Sequence, residues 1–215
     1  MNDLRTEAWL TDIREKVAPR PRLSLNPGRA ALLVIDMNVH FASPAGRSFL
    51  PMAAQIIPDV RALLERWRSL GAEVIYTRHG HQGEHDLGML GKFFSDYIAA
   101  DEPDADIIPE LAPLEEEVVI GKTTYDAFLG TPLQSILAKK GIEQVLVTGV
   151  LTHMCCETTA RSAFCRGYEA YVAVDAVASK SEEHHLGSLL SMADSVAVLM
   201  STREILASCD GVRDR

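Results

Sequence analysis

Residues 30–36 read AALLVID, six apolar residues in a row and then a carboxylate. An uninterrupted apolar run of this length is the pattern of a strand buried on both faces, as in a parallel sheet covered by helices. Downstream of it, apolar strand runs alternate with stretches of helical spacing. Residues 53–70 carry apolar side chains at helical intervals and stop at Gly71, a helix-end signal. Strands are predicted at 73–77 (EVIYT), 118–121, 144–150, 169–174 and 195–199. Between and after them, helices are predicted from Thr131-Pro132 to Lys140-Gly141, over 152–166 up to Gly167, over 182–193, and over 202–207. Strand–helix alternation predicts βαβ units, a parallel sheet and an α/β fold.

The outer parts of the chain add less. The first 17 residues, MNDLRTEAWLTDIREKV, mix charge with apolar residues and lack a continuous apolar segment. They are predicted to form a short amphipathic helix with Leu4, Trp9, Leu10 and Ile13 on roughly one face. Residues 1–27 are taken as an N-terminal helical arm on a single domain spanning 1–215. The stretch from 80 to 113 is rich in Gly, His, Asp and Pro, with Phe93, Phe94 and Tyr97 as an aromatic patch. Long irregular segments in compact domains usually carry function.

The chain of 215 residues is 47% hydrophobic and 24% charged, with net charge -9. That acidity argues against a general nucleic-acid partner. No apolar run reaches the roughly 20 residues of a membrane span, and no secretory leader is visible, so a cytoplasmic location is the default expectation. The four cysteines, Cys155, Cys156, Cys165 and Cys209, show no zinc-site spacing and are expected as free thiols, with Cys156 and Cys165 in the core.

In open parallel sheets, ligands bind beyond the carboxyl ends of the strands. Asp36 follows the first strand, Arg78, His79 and His81 the second, Lys122 the third, and GVLTHMC (149–155) the fourth. A carboxylate, an ammonium and a thiol there make a coherent set. The thiolate is the attacking form, and a helix N-terminus and a nearby lysine both favour it. A carboxylate in reach takes the thiol proton and later returns it to a leaving amine. Backbone N–H groups at the start of the helix hold an oxyanion, worth roughly 3 kcal/mol per donor. Each residue alone also has a plain structural reading: Asp36 as a turn cap, Lys122 as a surface lysine, Cys155 as a small core residue. Gly121-Lys122-Thr123 imitates the end of a phosphate-binding loop, but Glu116 stands where that loop needs glycine. No GxSxG elbow and no GxGxxG turn is present. His79, His81 and His85 form an HxHxxxH group, a weak candidate for a divalent metal and equally a pocket lining. His184 and His185 are read as capping, packing or interface residues.

At these residues the sequence resembles the isochorismatase-like cysteine hydrolase superfamily. The motifs that carry the resemblance are LLVIDMNVHF around Asp36, VIGKTTYDAF around Lys122 and VTGVLTHMCCETTARSAFCRGY around Cys155. The resemblance implies a Rossmann-like, doubly wound, six-stranded, mainly parallel sheet of order 3-2-1-4-5-6 with helices on both faces. It implies an Asp36–Lys122–Cys155 triad, a cis peptide between Val150 and Leu151, and an oxyanion hole from the N–H groups of Leu151 and Cys155. It further implies a small-molecule substrate, no cofactor, and a homodimer or homotetramer. The predicted reaction is cleavage of a C–N bond in a small amide or ureide, with Phe41, His79, Phe94 and Tyr125 against the substrate. In the isochorismatase branch a vinyl ether is hydrolysed by the aspartate without the cysteine. In the nicotinamidase branch an Asp-x-His pair starts a metal site, where this chain has His79-Gly80-His81. A non-catalytic interaction subunit on the same fold is the third reading.

Overall fold

A computed structural model describes residues 3–210. Six strands form one sheet: β1 (Ala30–Ile35), β2 (Val74–His79), β3 (Val118–Lys122), β4 (Gln144–Val150), β5 (Glu169–Ala178) and β6 (Ala197–Met200). They run parallel in the order β3-β2-β1-β4-β5-β6. The order reverses direction between β1 and β4, which makes their carboxyl ends the switch point.

The helices are α1 (Asp3–Lys16), α2 (Val39–Ala42), α3 (Pro51–Gln55), α4 (Ile57–Ser69), α5 (Leu90–Phe93), α6 (Leu133–Lys139), α7 (Glu157–Cys165), α8 (Glu182–Ser195) and α9 (Thr202–Asp210). Every residue of β1 is buried, and alternate residues serve opposite faces. Ala31, Leu33 and Ile35 join one core with Leu10, Ile13, Leu137, Ala163 and Leu189. Ala30, Leu32 and Val34 join the other with Leu63, Trp67 and Ile205. The period-2 pleat thus feeds two cores from one apolar run.

Several boundaries differ from the sequence expectation, each for a local reason. The helix predicted over 53–70 is broken at Ile56, because Pro58 opens α4 and has no N–H to continue the ladder from α3. α4 ends where predicted, at Leu70 followed by Gly71 with φ 63°. α6 starts at Leu133 with Pro132 as its cap position, while the Thr131 hydroxyl accepts the Leu133 N–H. β5 extends to Ala178, beyond the predicted end at 174, through a register shift against β4. On α1, Trp9, Leu10 and Ile13 are buried as the spacing predicts, whereas Leu4 is 80% exposed; Thr6 takes its place on the inner face. Helix geometry ends at Lys16, so only part of the 1–27 arm is helical, and residues 1–2 lie outside the described region. Cys165 is exposed, which corrects its assignment to the core: α7 buries Thr159, Ala160 and Ala163, and Cys165 points away from that stripe. Among the described residues no helix is long and apolar enough to cross a membrane.

One glycine bears directly on the switch point. Gly149 pairs with Ile35, has φ 103°, and a Cβ there would sit 2.0 Å from the Ile35 carbonyl oxygen. Both the backbone angle and the contact forbid a side chain. Gly149→Ala is expected to cost at least about 3 kcal/mol, roughly a 10 °C fall in Tm by thermal denaturation. An unchanged Tm would mean that β1 and β4 are not packed this closely.

Candidate active site

Asp36 leaves β1 with φ 48°, the positive-φ non-glycine residue among the described ones. Its N–H donates to the Thr77 carbonyl, and Thr77 Oγ1 donates to Asp36 Oδ1 at 2.7 Å. Neighbouring β2 therefore fixes both the backbone and the carboxylate of this residue. Lys122 ends β3 and pairs in register with His79 of β2. Its strand is not adjacent to β1, so the side chain spans the end of β2. Nζ lies 2.6 Å from Asp36 Oδ2, donates to the Thr124 carbonyl at 2.8 Å, and lies 3.4 Å from Cys155 Sγ. The surface-lysine reading is excluded, since Lys122 and Asp36 are both buried.

Cys155 sits in a π-helical turn, Thr152–Cys156, that opens α7. A cis peptide joins Val150 to Leu151 just before it. The Leu151 carbonyl accepts the N–H groups of Met154 and Cys156.

The electrostatics of the three groups separate cleanly. Burial alone would raise the Asp36 pKa, but Lys122, a nearby His79 and the bonds from Lys122 and Thr77 together hold it below the usual carboxylate value. Burial would neutralise Lys122, yet Asp36 and Cys155 reverse that and raise its pKa. Burial pushes the Cys155 thiol up to about 12; Lys122 opposes this, and the charge of Asp36 and a hydrogen bond to it add to it. The resting site is thus a carboxylate, an ammonium and a protonated thiol. The expected thiolate is not the resting form, because burial and Asp36 outweigh Lys122 and the helix start. Asp36 is the neighbouring carboxylate whose charge acts on the thiol.

Cys155 opens onto a cavity of ≈ 340 Å³. Phe41, His79, Phe94 and Tyr125 all line it, as do His40, His81, Leu90, Met154 and Lys180. A larger hollow of ≈ 510 Å³ lies where α1 meets β6, but its lining is mainly aliphatic and includes no cysteine, histidine or lysine. Burial, first of all, lowers the His79 pKa to about 4, so this imidazole is neutral at ordinary pH. His81 Nδ1 contacts Asp86 Oδ1 at 3.2 Å. His85 is exposed and does not line the cavity, so the HxHxxxH group is split by its own loop. Among the described residues no group of three or more His, Cys, Asp or Glu is arranged to hold a metal ion.

Two lining residues escape the sequence reading. His40 sits four residues beyond Asp36 and is held at 3.0 Å by Asp104, which also receives Arg47 Nε at 3.0 Å. That cluster, with Asn38 Nδ2 donating to the His79 and Ala105 carbonyls, pins the 80–113 segment over the cavity. Lys180 lies just past the carboxyl end of β5. It is exposed at the cavity, with no ion-pair partner found among the described residues. The rule of reading polar residues at strand ends finds it once β5 is known to continue to Ala178.

Known proteins share this fold. The isochorismatase domain family matches residues 30–204. The chain is 38% identical to Nicotinamidase 3 of Arabidopsis thaliana over 185 residues, covering 85% of this chain and 89% of that protein. It is 32% identical to enterobactin synthase component B of Escherichia coli (strain K12), covering 85% of this chain and 64% of that protein. The crystal structure of a cysteine hydrolase from Pseudomonas syringae pv. phaseolicola 1448A superposes with TM-score 0.86 at 28% identity, covering 90% of this chain and 98% of that one.

Proposed function

Because the chain belongs to the isochorismatase family of hydrolases, we propose that it cleaves the C–N bond of a small amide or ureide through a thioester on Cys155. The observation that carries this reading is the position of Lys122 Nζ, 2.6 Å from the Asp36 carboxylate and 3.4 Å from the sulfur of Cys155, which lines the cavity. Asp36 takes the thiol proton as sulfur attacks the carbonyl carbon. Lys122 fixes the carboxylate and offsets the negative charge passing between the two groups. The tetrahedral oxyanion is received by the N–H groups of Leu151 and Cys155. The C–N bond breaks as Asp36 returns the proton to the leaving nitrogen. Water then attacks the thioester, with Asp36 as base, releasing the acid and restoring the thiol. Phe41, Phe94 and Tyr125 supply the apolar walls, and neutral His79 offers a hydrogen bond without adding charge.

The test is a panel of small amides, ureides and isochorismate with wild type and Cys155→Ala. Turnover of an amide or ureide by wild type and its loss in the variant supports the reading. Isochorismate hydrolysis at the wild-type rate by Cys155→Ala would replace it with an aspartate-driven vinyl-ether hydrolase.

Within that panel, Lys180 orders the substrates. An unpaired ammonium at the cavity favours a carboxylate on the substrate by roughly 1.5 kcal/mol, about tenfold in affinity. Lys180→Ala is expected to raise KM about tenfold for carboxylate-bearing amides and to leave neutral amides within about twofold. Equal effects on both classes would remove Lys180 from substrate recognition.

A further inference from the structure

The turn that carries Cys155 is braced from behind by groups that never touch the cavity. Thr152, its first residue, is fully buried, and its Oγ1 lies 2.9 Å from His185 Nδ1. The Ser188 hydroxyl sits 3.2 Å from the Thr152 carbonyl and 2.6 Å from Glu157 Oε2, tying α8 to the same turn. His185 is itself sealed: none of it is exposed, and its Nε2 is buried without a hydrogen-bond partner. The cover is Trp9, whose ring centroid is 4.9 Å from that of His185. Trp9 Nε1 donates to Glu182 Oε1 at 2.9 Å, and the Arg5 guanidinium lies 4.9 Å above the Trp9 ring while pairing with Glu182. α1 therefore closes the back of the site although it precedes residues 30–204, the span of the family match.

We infer that His185 is a positioning residue for the nucleophile, acting through the Thr152 hydroxyl, and that Trp9 of α1 keeps that contact dry. The inference rests on Cys155 being the nucleophile. Its physical basis is that a buried hydroxyl–imidazole bond is strong only while water is excluded and both partners are held by packing. Burial, above all, lowers the His185 pKa to about 4, so the ring stays neutral and does not titrate at working pH. A displacement of the sulfur by about 1 Å costs up to about 100-fold in rate without weakening binding, which is the signature of positioning.

The experiment uses the full chain. Thr152→Val keeps the side-chain shape and deletes the hydroxyl; Thr152→Ser restores a hydroxyl. Thr152→Val is expected to lower kcat about tenfold or more with KM within about twofold, and Thr152→Ser to recover most of it. Trp9→Ala is expected to lower kcat with the same constant KM, and the pH profile of every variant to keep its wild-type shape. A readout independent of turnover is alkylation of Cys155 by iodoacetamide, followed by mass spectrometry: a loosened turn exposes the thiol, so the rate rises several-fold in Thr152→Val. Unchanged kcat and unchanged alkylation in Thr152→Val overturn the brace. A kcat loss that Thr152→Ser does not recover overturns the role of the hydroxyl. If Cys155→Ala keeps full activity, the nucleophile reading fails, and that result is separate from the alkylation rates.

Discussion

Cys155→Ala is expected to lower kcat on an amide or ureide by about 10⁴-fold or more, with KM nearly unchanged. The size follows from the lack of a substitute. Cys156 is adjacent in sequence, but its thiol is fully buried and lies 4.0 Å from the Thr148 carbonyl. Burial, first of all, drives its pKa well above the ordinary thiol value. Of the cavity lining the substitution changes Cys155 alone, so binding persists. The variant also keeps the Asp36–Lys122 pair intact, so its Tm is expected within a few degrees of wild type. Steady-state kinetics read the rate, and intact-protein mass spectrometry reads whether an acyl adduct forms on wild type alone. Amide turnover within tenfold of wild type would exclude a covalent route through this sulfur.

Lys122→Met has the second large effect, and it falls on the fold as well as on the rate. The substitution leaves the Asp36 carboxylate buried without its cationic partner, with the Thr77 hydroxyl and the Cys155 thiol beside it. Breaking a buried pair from one side costs about 3–5 kcal/mol, or about 10 °C in Tm for a chain of this size. The sign of the pH dependence changes too. In wild type the Asp36 pKa is lowered, so its contribution is complete above the ordinary carboxylate range and is lost only as pH falls through the lowered value. In the variant, burial is unopposed by the ammonium and the folded-state pKa rises above the unfolded one. Stability is then greatest in acid, falls as pH climbs from about 4 to the raised value, and is flat beyond it. Thermal melts between pH 4 and pH 8 check this. A variant whose Tm does not fall as pH rises would mean that Lys122 is not what keeps Asp36 ionised.

Much of this architecture is legible in the chain because parallel sheets write themselves plainly. AALLVID and QVLVTGV are near-continuous apolar runs, too short for a core helix and without a polar face to show to water, so each fits a strand covered on both sides. The strand-end rule then marks Asp36, Lys122 and the Cys155 turn, which the fold brings together. What periodicity cannot express is how far a strand runs or what lies between two strand ends. β5 continues four residues past its predicted end through a register shift, and that hides Lys180. β2 intervenes between the strands of Lys122 and Asp36, so their contact depends on side-chain length and not on adjacency. The resting thiol is likewise invisible in sequence. A lysine and a helix start argue for the anion; only the depth of burial and the closeness of Asp36 reverse the balance. His185 reads as an ordinary helix residue until α1 is seen lying on it.

The span of Lys122 across β2 has a consequence for how the chain acquires its activity. Residues 36, 122 and 155 come from three separate βα units, and no two consecutive units hold the whole set. Local helix and hairpin-scale structure forms in microseconds, whereas contacts between distant parts of the chain wait on loop closure. A collapsed intermediate with native helices but an incomplete sheet holds none of the reactive geometry. Recovery of turnover during refolding is therefore expected to lag recovery of the helical circular dichroism signal, and to coincide with the slowest step of sheet assembly. Enzymatic rate in this protein counts finished molecules.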